Sequence, residues 1–244
     1  MSRFFVDKNT ISNNRVYLSA EDSQHAIKVL RLAENDIVTV CDGAGFEYDA
    51  RIIKADKSGV KVELFNQRKA DTEPAVRVTL IQCLPKAGKM EVIIQKCVEL
   101  GVHDIIPVES ERSVVKISGS TQNKIERYNR IAYEAAKQSG RGIIPKVRNF
   151  TKLNDIDYSE FDFLLVPYEE EHELTLKHYI ESSNLLKSAS NVAIVIGPEG
   201  GIDQKEIEFL RSKGGITLTL GKRILRTETA GMATLAMLFC LLEG

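Results

Sequence analysis

Three apolar segments of this 244-residue chain run into polar, glycine-bearing turns: LLVPYEEE over 164–171, IGPEGG over 196–201 and LGKRILRTETA over 220–230. Gly197, Gly200 and Gly201 permit positive φ and let a main chain approach a ligand closely. The third turn carries Lys222, Arg223, Arg226 and Glu228 where an apolar strand gives way to an apolar helix. Ionised groups clustered at such a junction suit recognition of a charged or strongly polar ligand. IGPEGG is not a dinucleotide fingerprint, because it lacks GxGxxG and Pro198 removes a backbone donor. No GK[ST] follows it, so it is not a P-loop either.

The elements that must hold these turns are legible as a pattern. Residues 1–72 read as β-rich, with DIVTVCDG, FEYDARII and GVKVELF at hairpin spacing. One helix is expected over SAEDSQHAIKVLRL, capped by Ser19, with Ala26, Val29 and Leu30 on one face. Short strands with a single helix suggest a small barrel, followed by the polar linker RKADTEP. Beyond Pro74 strands and helices alternate. VRVTLIQCL, HDIIPVES, FDFLLVPY, NVAIVIG and ITLTLG are strands. KMEVIIQKCVELG is an amphipathic helix with Met90, Ile93, Ile94 and Cys97 inward and Gly101 as its stop. Further helices are expected over 121–139, 172–187, 203–213 and 228–242, the third opened by an Asp203–Glu206 capping box and the last with a threonine, Thr227 or Thr229, as its cap. Apolar strands alternating with helices predict a mostly parallel sheet covered on both faces. Ligands of such sheets bind beyond the carboxyl ends of the strands, where all three turns lie.

Composition narrows the class. Net charge is −1, yet residues 112–148 hold nine Lys and Arg against Glu126 and Glu134. Phosphate contacts act through local charge, so this stretch is a candidate polyanion face. Cys41, Cys83, Cys97 and Cys240 are scattered, and with the four histidines they form no metal-ligand spacing. The expectation is reduced thiols, no metal and a cytoplasmic protein. No apolar run of membrane length occurs, and the first residues lack the build of a signal peptide.

IGPEGG, followed about twenty residues later by LGKRILRTETA, resembles the signature of the SPOUT methyltransferases. More narrowly, the chain is similar to the ribosomal RNA small subunit methyltransferase E family. RFF, VLRL, KMEVIIQKCVELGV, ERSVVK and EAAKQSGRGIIP carry that likeness in order along the whole chain. The resemblance implies an α/β fold in two domains: a PUA-like RNA-binding β-barrel over 1–72 and a SPOUT domain over 73–244 with a C-terminal trefoil knot. It implies a homodimer, S-adenosylmethionine (SAM) as cofactor, and methylation of N3 of a uridine in 16S rRNA of the small ribosomal subunit. Under it, Leu165, Pro167, Ile196, Gly197, Pro198, Glu199, Gly200, Leu220, Gly221, Ile224 and Leu225 are expected at the cofactor.

Methyl transfer from a sulfonium releases a neutral thioether, so position and a nucleophile matter more than an acid. Uridine N3 must lose a proton, and the negative charge then spreads to the flanking carbonyl oxygens. Arg226, whose planar fork can address two oxygens, is the expected cation; Glu199 or Glu228 is placed to take the proton or to orient the arginine, with orientation ranked first for Glu228. Expected RNA contacts are Arg3, His25, Lys28 and Arg31 in the first domain, and Arg112, Lys116, Arg127, Arg130, Gln138 and Arg141 in the basic stretch. The rival readings are another RNA position or a ribose 2′-O target, a non-catalytic RNA-binding protein, and a dinucleotide enzyme disfavoured by its missing fingerprint.

Overall fold

The computed structural model describes residues 2–86, 88–183 and 190–242. The chain divides into two compact units: Met1–Glu73 with Ala136–Ile144, and Pro74–Ala135 with Pro145–Gly244.

In the first unit, β1 (Arg3–Phe5), β2 (Arg15–Tyr17), β3 (Ile37–Cys41), β4 (Phe46–Asp56) and β5 (Gly59–Lys69) form one curled sheet in the order β1-β3-β4-β5-β2. The β1–β3 pair is parallel and the others antiparallel. The β4–β5 turn needs Gly59, at φ +125°, and the Asp56 carboxylate accepts the Ser58 N–H at 2.8 Å. Alternate residues such as Val38, Val40, Ala50, Ile52, Val60 and Val62 build the core with Phe4 and Ala26. Arg68 and Lys69 of the expected linker belong to β5.

Ser19 caps α1 (Ala20–Gln24) by accepting the Asp22 N–H at 3.0 Å. The expected helical face is then lost. Residues His25–Val29 form a π-helical turn that swings Val29 and Leu30 outward, 65% and 38% exposed, and leaves only Ala26 in the core. The wider turn breaks the 3.6-residue register on which that expectation rested.

The segment Ala136–Ile144 is bound into this unit by Glu73. Its carboxylate takes the Arg141 guanidinium at 2.5 Å and the N–H groups of Gly142 and Ile143 at 2.9 and 3.1 Å. Gly142 is obligatory here, since a Cβ would lie 2.2 Å from the Ala70 methyl. Lys137 pairs with the buried Asp22.

The second unit holds β6 (Arg77–Cys83), α2 (Lys89–Glu99), β7 (Asp104–Glu109), most of α3 (Gln122–Gln138), β8 (Lys146–Val147), β9 (Thr151–Lys152), β10 (Phe163–Pro167), α4 (Leu176–Ser182), β11 (Asn191–Ile196), α5 (Gln204–Ser212), β12 (Gly215–Leu218) and α6 (Thr227–Leu242). The strands make a wholly parallel sheet, β12-β10-β11-β6-β7-β8, with β9 also on β7. One face packs Ile81, Val108, Val166 and Val195 against Ile207 and Leu210 of α5. The expected inward residues of α2 are all buried. Gly101 ends its C-terminal turn at φ +102°, where a Cβ would stand 2.8 Å from Pro74. The capping box of α5 is present.

The helix expected over 172–187 starts later, at the Thr175 cap, because the Glu171 carboxylate folds the preceding residues by accepting the N–H groups of Glu173 and Leu174. Its expected residues 184–187 lie outside the described residues. The two-residue strands β8 and β9 were not legible as strands.

The order places β10 between β12 and β11. The three turns singled out above therefore leave adjacent strands at the same edge of the sheet. That neighbourhood is what makes one site of three separate motifs.

Candidate functional site

The glycine turn is shaped by its own backbone. The Pro198 carbonyl accepts the Gly201 N–H at 3.0 Å, and Gly201 sits at φ +72°. A Cβ on Gly197 would meet Ile202 at 2.9 Å, so this position admits no side chain without displacement. Arg112 holds the turn from outside, donating to the Gly200 carbonyl and to Asp203, each at 3.2 Å. Glu206 reaches back to the Glu111 N–H at 2.9 Å.

The last turn is anchored at both ends. The Thr219 N–H donates to the Leu174 carbonyl at 2.8 Å, and Gly221 turns the chain at φ +119°. At the far end the Arg226 carbonyl accepts the N–H groups of Thr229 and Ala230, each at 2.8 Å. Arg226 therefore opens α6, and neither Thr227 nor Thr229 caps it. Thr227 does something else. Its hydroxyl donates to the Gly197 carbonyl at 2.6 Å and accepts from Gln82 Nε2 at 3.0 Å. Gln82 is fully buried at the end of β6 and also donates to the Cys83 carbonyl at 3.0 Å. This short polar chain ties the glycine turn to the start of α6. Glutamine and threonine are common enough that no sequence signal marked it.

Between the turns lies a cleft of about 750 Å³, within the range of small-molecule sites. Pro167, Ile196, Gly197, Pro198, Glu199 and Gly200 line it. Leu220, Gly221, Ile224, Leu225 and Arg226 complete the expected set on its wall. Leu165 is the exception: it is fully buried in mid-strand β10 and lines no part of the cleft. Reading it at the site ran two residues too far back from the strand end. Tyr168, Glu169, His172, Lys222, Arg223 and Lys89 also line the cleft. Lys222 and Arg223 are exposed in the last turn.

Glu228 stands behind this wall, in the first turn of α6. Lys89 joins it to Glu199, with Nζ 3.0 Å from Glu228 Oε2 and 2.9 Å from Glu199 Oε1. Glu199 also accepts the Lys86 N–H at 3.2 Å. Burial pushes the Glu199 carboxyl up, but the Lys89 and Lys86 hydrogen bonds outweigh it and hold the group below the usual range. Glu228 is lowered by its own backbone N–H, against burial, and further by Lys89. Both carboxylates are thus ionised and poor proton acceptors near neutrality, whereas a good general base is poised close to the working pH. Lys89 itself is raised by hydrogen bonds to Glu199 and Glu228.

The residues suit SAM in kind. The apolar side chains Leu220, Ile224 and Leu225 offer a slot for a base, the glycine turn offers main-chain groups, and Glu199 and Glu169 offer negative charge to a cationic centre.

The expected RNA contacts divide by environment. His25, Lys28 and Arg31 are exposed at the end of the first unit's helix. Arg3 is engaged by Glu47 at 2.9 Å. In the second unit Lys116 lies 3.5 Å from Glu109 and Arg127 2.8 Å from Glu91, both remaining solvent-accessible, and Arg130 is exposed. Gln138, in α3, is exposed as well. Arg112 is taken up by the glycine turn. Arg141 is 3% exposed and spent on Glu73, so it presents no cation to a ligand. Among the described residues no cluster of His, Cys, Asp or Glu could hold a metal ion.

Comparison with known proteins matches residues 72–239 to a family described as an RNA methyltransferase domain and residues 18–65 to one described as an RNA methyltransferase PUA domain. The chain is 36% identical over 245 residues to ribosomal RNA small subunit methyltransferase E of Bacillus subtilis, covering 97% of this chain and 95% of the relative. It is 33% identical to the protein of that name from Synechocystis, covering 99% and 78%. Its fold superposes with a TM-score of 0.83, at 31% identity and over 99% and 98% of the two chains, on the crystal structure of the Neisseria gonorrhoeae protein of that name bound to SAM.

Proposed function

We propose, from the premise that this chain belongs to the ribosomal RNA small subunit methyltransferase E family, that it transfers a methyl group from SAM to N3 of a uridine in 16S rRNA. The observation that carries the reading is the cleft itself: three turns from adjacent parallel strands enclose it, and Arg226 lies exposed on its wall. SAM, when bound, supplies an electrophilic methyl group on a positively charged sulfur. The chain's own residues do the rest. The wall of Leu220, Ile224 and Leu225 takes the adenosine, and the glycine turn approaches it with main chain alone. Arg226, its backbone fixed at the start of α6, projects its guanidinium to the uracil oxygens that gain charge as the N3 proton leaves. Glu199 and Glu228 are held below the usual carboxylate range by the hydrogen bonds they accept and are weak bases, so the N3 proton leaves to solvent hydroxide. Glu228 orients and partly neutralises Arg226.

The first domain, 1–72, serves as the RNA-binding module and 73–244 as the catalytic one, with the family's trefoil knot in the turns around the cleft. His25, Lys28 and Arg31, with Lys116, Arg127, Arg130 and Gln138, are the phosphate and sugar contacts. Homodimer formation fits α6, which is mostly apolar beyond its first turn and leaves Met237 41% exposed. Action on ribosomal RNA in the cytoplasm accords with four free cysteines and with no described helix being long and apolar enough to cross a membrane.

The test is incubation with labelled SAM and small ribosomal subunits, followed by mapping of the modified base. N3-methyluridine is expected; label on a ribose oxygen, or none, overturns the assignment. Arg226→Ala should lower kcat by about a hundredfold or more while SAM affinity, read by calorimetry, changes by less than about threefold. An unchanged kcat removes Arg226 from the mechanism.

A further inference from the structure

Lys89 occupies the first position of α2, behind Gly88, which supplies no side-chain cap. A cation there faces the positive end of the helix dipole, a place where acids are preferred. Something must offset that cost, and two carboxylates from two other elements do. Glu199 comes from the glycine turn and Glu228 from the first turn of α6, both within 3.0 Å of one Nζ. Glu199 also accepts the Lys86 N–H just ahead of α2, so the turn is docked on that helix end by two contacts. The two carboxylate oxygens are therefore no more than about 6 Å apart, where like charges repel unless a cation stands between them. The other charged groups nearby do not replace it. Glu91 of α2 is turned to Arg127 at 2.8 Å, and Arg226 adds a weaker attraction to Glu228 than Lys89 does.

We propose that Lys89 is a positioning residue that clamps the glycine turn to the start of α6, preassembling the SAM cleft and holding Glu228 in place beside Arg226. It acts through the two carboxylates and not on the transferred methyl group. This rests on the function proposed above, but the clamp has a readout of its own.

Four variants of the full chain separate the possibilities: Lys89→Met, Lys89→Arg, Glu199→Gln and Lys89→Met/Glu199→Gln. By calorimetry, Lys89→Met should weaken SAM binding about tenfold, and Lys89→Arg should return it to within about threefold. Adding Glu199→Gln to Lys89→Met should recover part of the loss, because the repulsion is gone. In the unaltered chain neither carboxyl should contribute to any change of SAM affinity between pH 7 and about 5, since both lie below their usual 4.5. In Lys89→Met the affinity should vary over that range as the freed carboxylates titrate. Equal SAM affinity in Lys89→Met, or the same pH profile, overturns the clamp. Urea unfolding of the set reads it without cofactor. Lys89→Met and Glu199→Gln should then be non-additive, and strict additivity refutes the proposal even if SAM fails to bind. Should Lys89→Met not fold, Lys89→Gln takes its place in the same cycle.

Discussion

Replacing Thr227 by valine removes one oxygen and almost no volume. The hydroxyl is 5% exposed with its residue, gives a 2.6 Å hydrogen bond to the Gly197 carbonyl and receives one at 3.0 Å from Gln82. Valine leaves the Gly197 carbonyl without that donor and one N–H of the fully buried Gln82 without an acceptor, while the bond to the Cys83 carbonyl survives. Two groups stranded in this way cost about 1–3 kcal/mol each, less what relaxation recovers, so a loss of about 2–4 kcal/mol is expected. Urea unfolding followed by circular dichroism measures it, and SAM titration should show weaker binding because the glycine turn has lost its tie to α6. Thr227→Ser keeps the oxygen and should stay within about 1 kcal/mol of the parent. In Gln82→Met the glutamine no longer has a bond to lose, so adding Thr227→Val should cost about 1 kcal/mol less than it does alone. A Thr227→Val chain within about 0.5 kcal/mol of the parent, binding SAM normally, would refute the account of this network.

Two further outcomes follow from burial. Arg141→Met should destabilise the first unit by about 3 kcal/mol, because Glu73 is left nearly enclosed with only two backbone donors; Glu73→Gln in the same chain should recover part of it in urea unfolding. Burial pushes the Cys83 and Cys97 thiols up to about 12, from 9.0. Their folded pKa exceeds the unfolded one, so the stability they contribute is intact below pH 9 and drains away as pH climbs toward 12. At pH 8 both should resist a thiol reagent until urea is added, and rapid labelling of either in the folded chain would contradict the packing of β6 and α2.

Much of this protein could be read without coordinates, for identifiable reasons. The longer strands of the parallel sheet are mainly apolar and bounded by breakers, so their period and length marked them. Ser19, Asp203 and Gly101 announced helix ends because caps act within four residues of chain. The polar turns at three strand ends pointed to a ligand site, and the family resemblance supplied the ligand. What failed was either finer than a period or farther than a turn. The π-helical turn that exposes Val29 and Leu30 changes the helical register without any marker residue. Nothing near Arg141 foretold Glu73, sixty-eight residues away, as its partner. Strand order is a long-range choice, and only it brought the 164–171, 196–201 and 220–230 turns to one edge. Lys89, Gln82 and Thr227 follow from that choice alone. Lys89 and Gln82 reach the site through partners more than a hundred residues distant in sequence and Thr227 through Gly197, thirty residues back, and a lysine at a helix start reads as a surface charge until two carboxylates are seen around it.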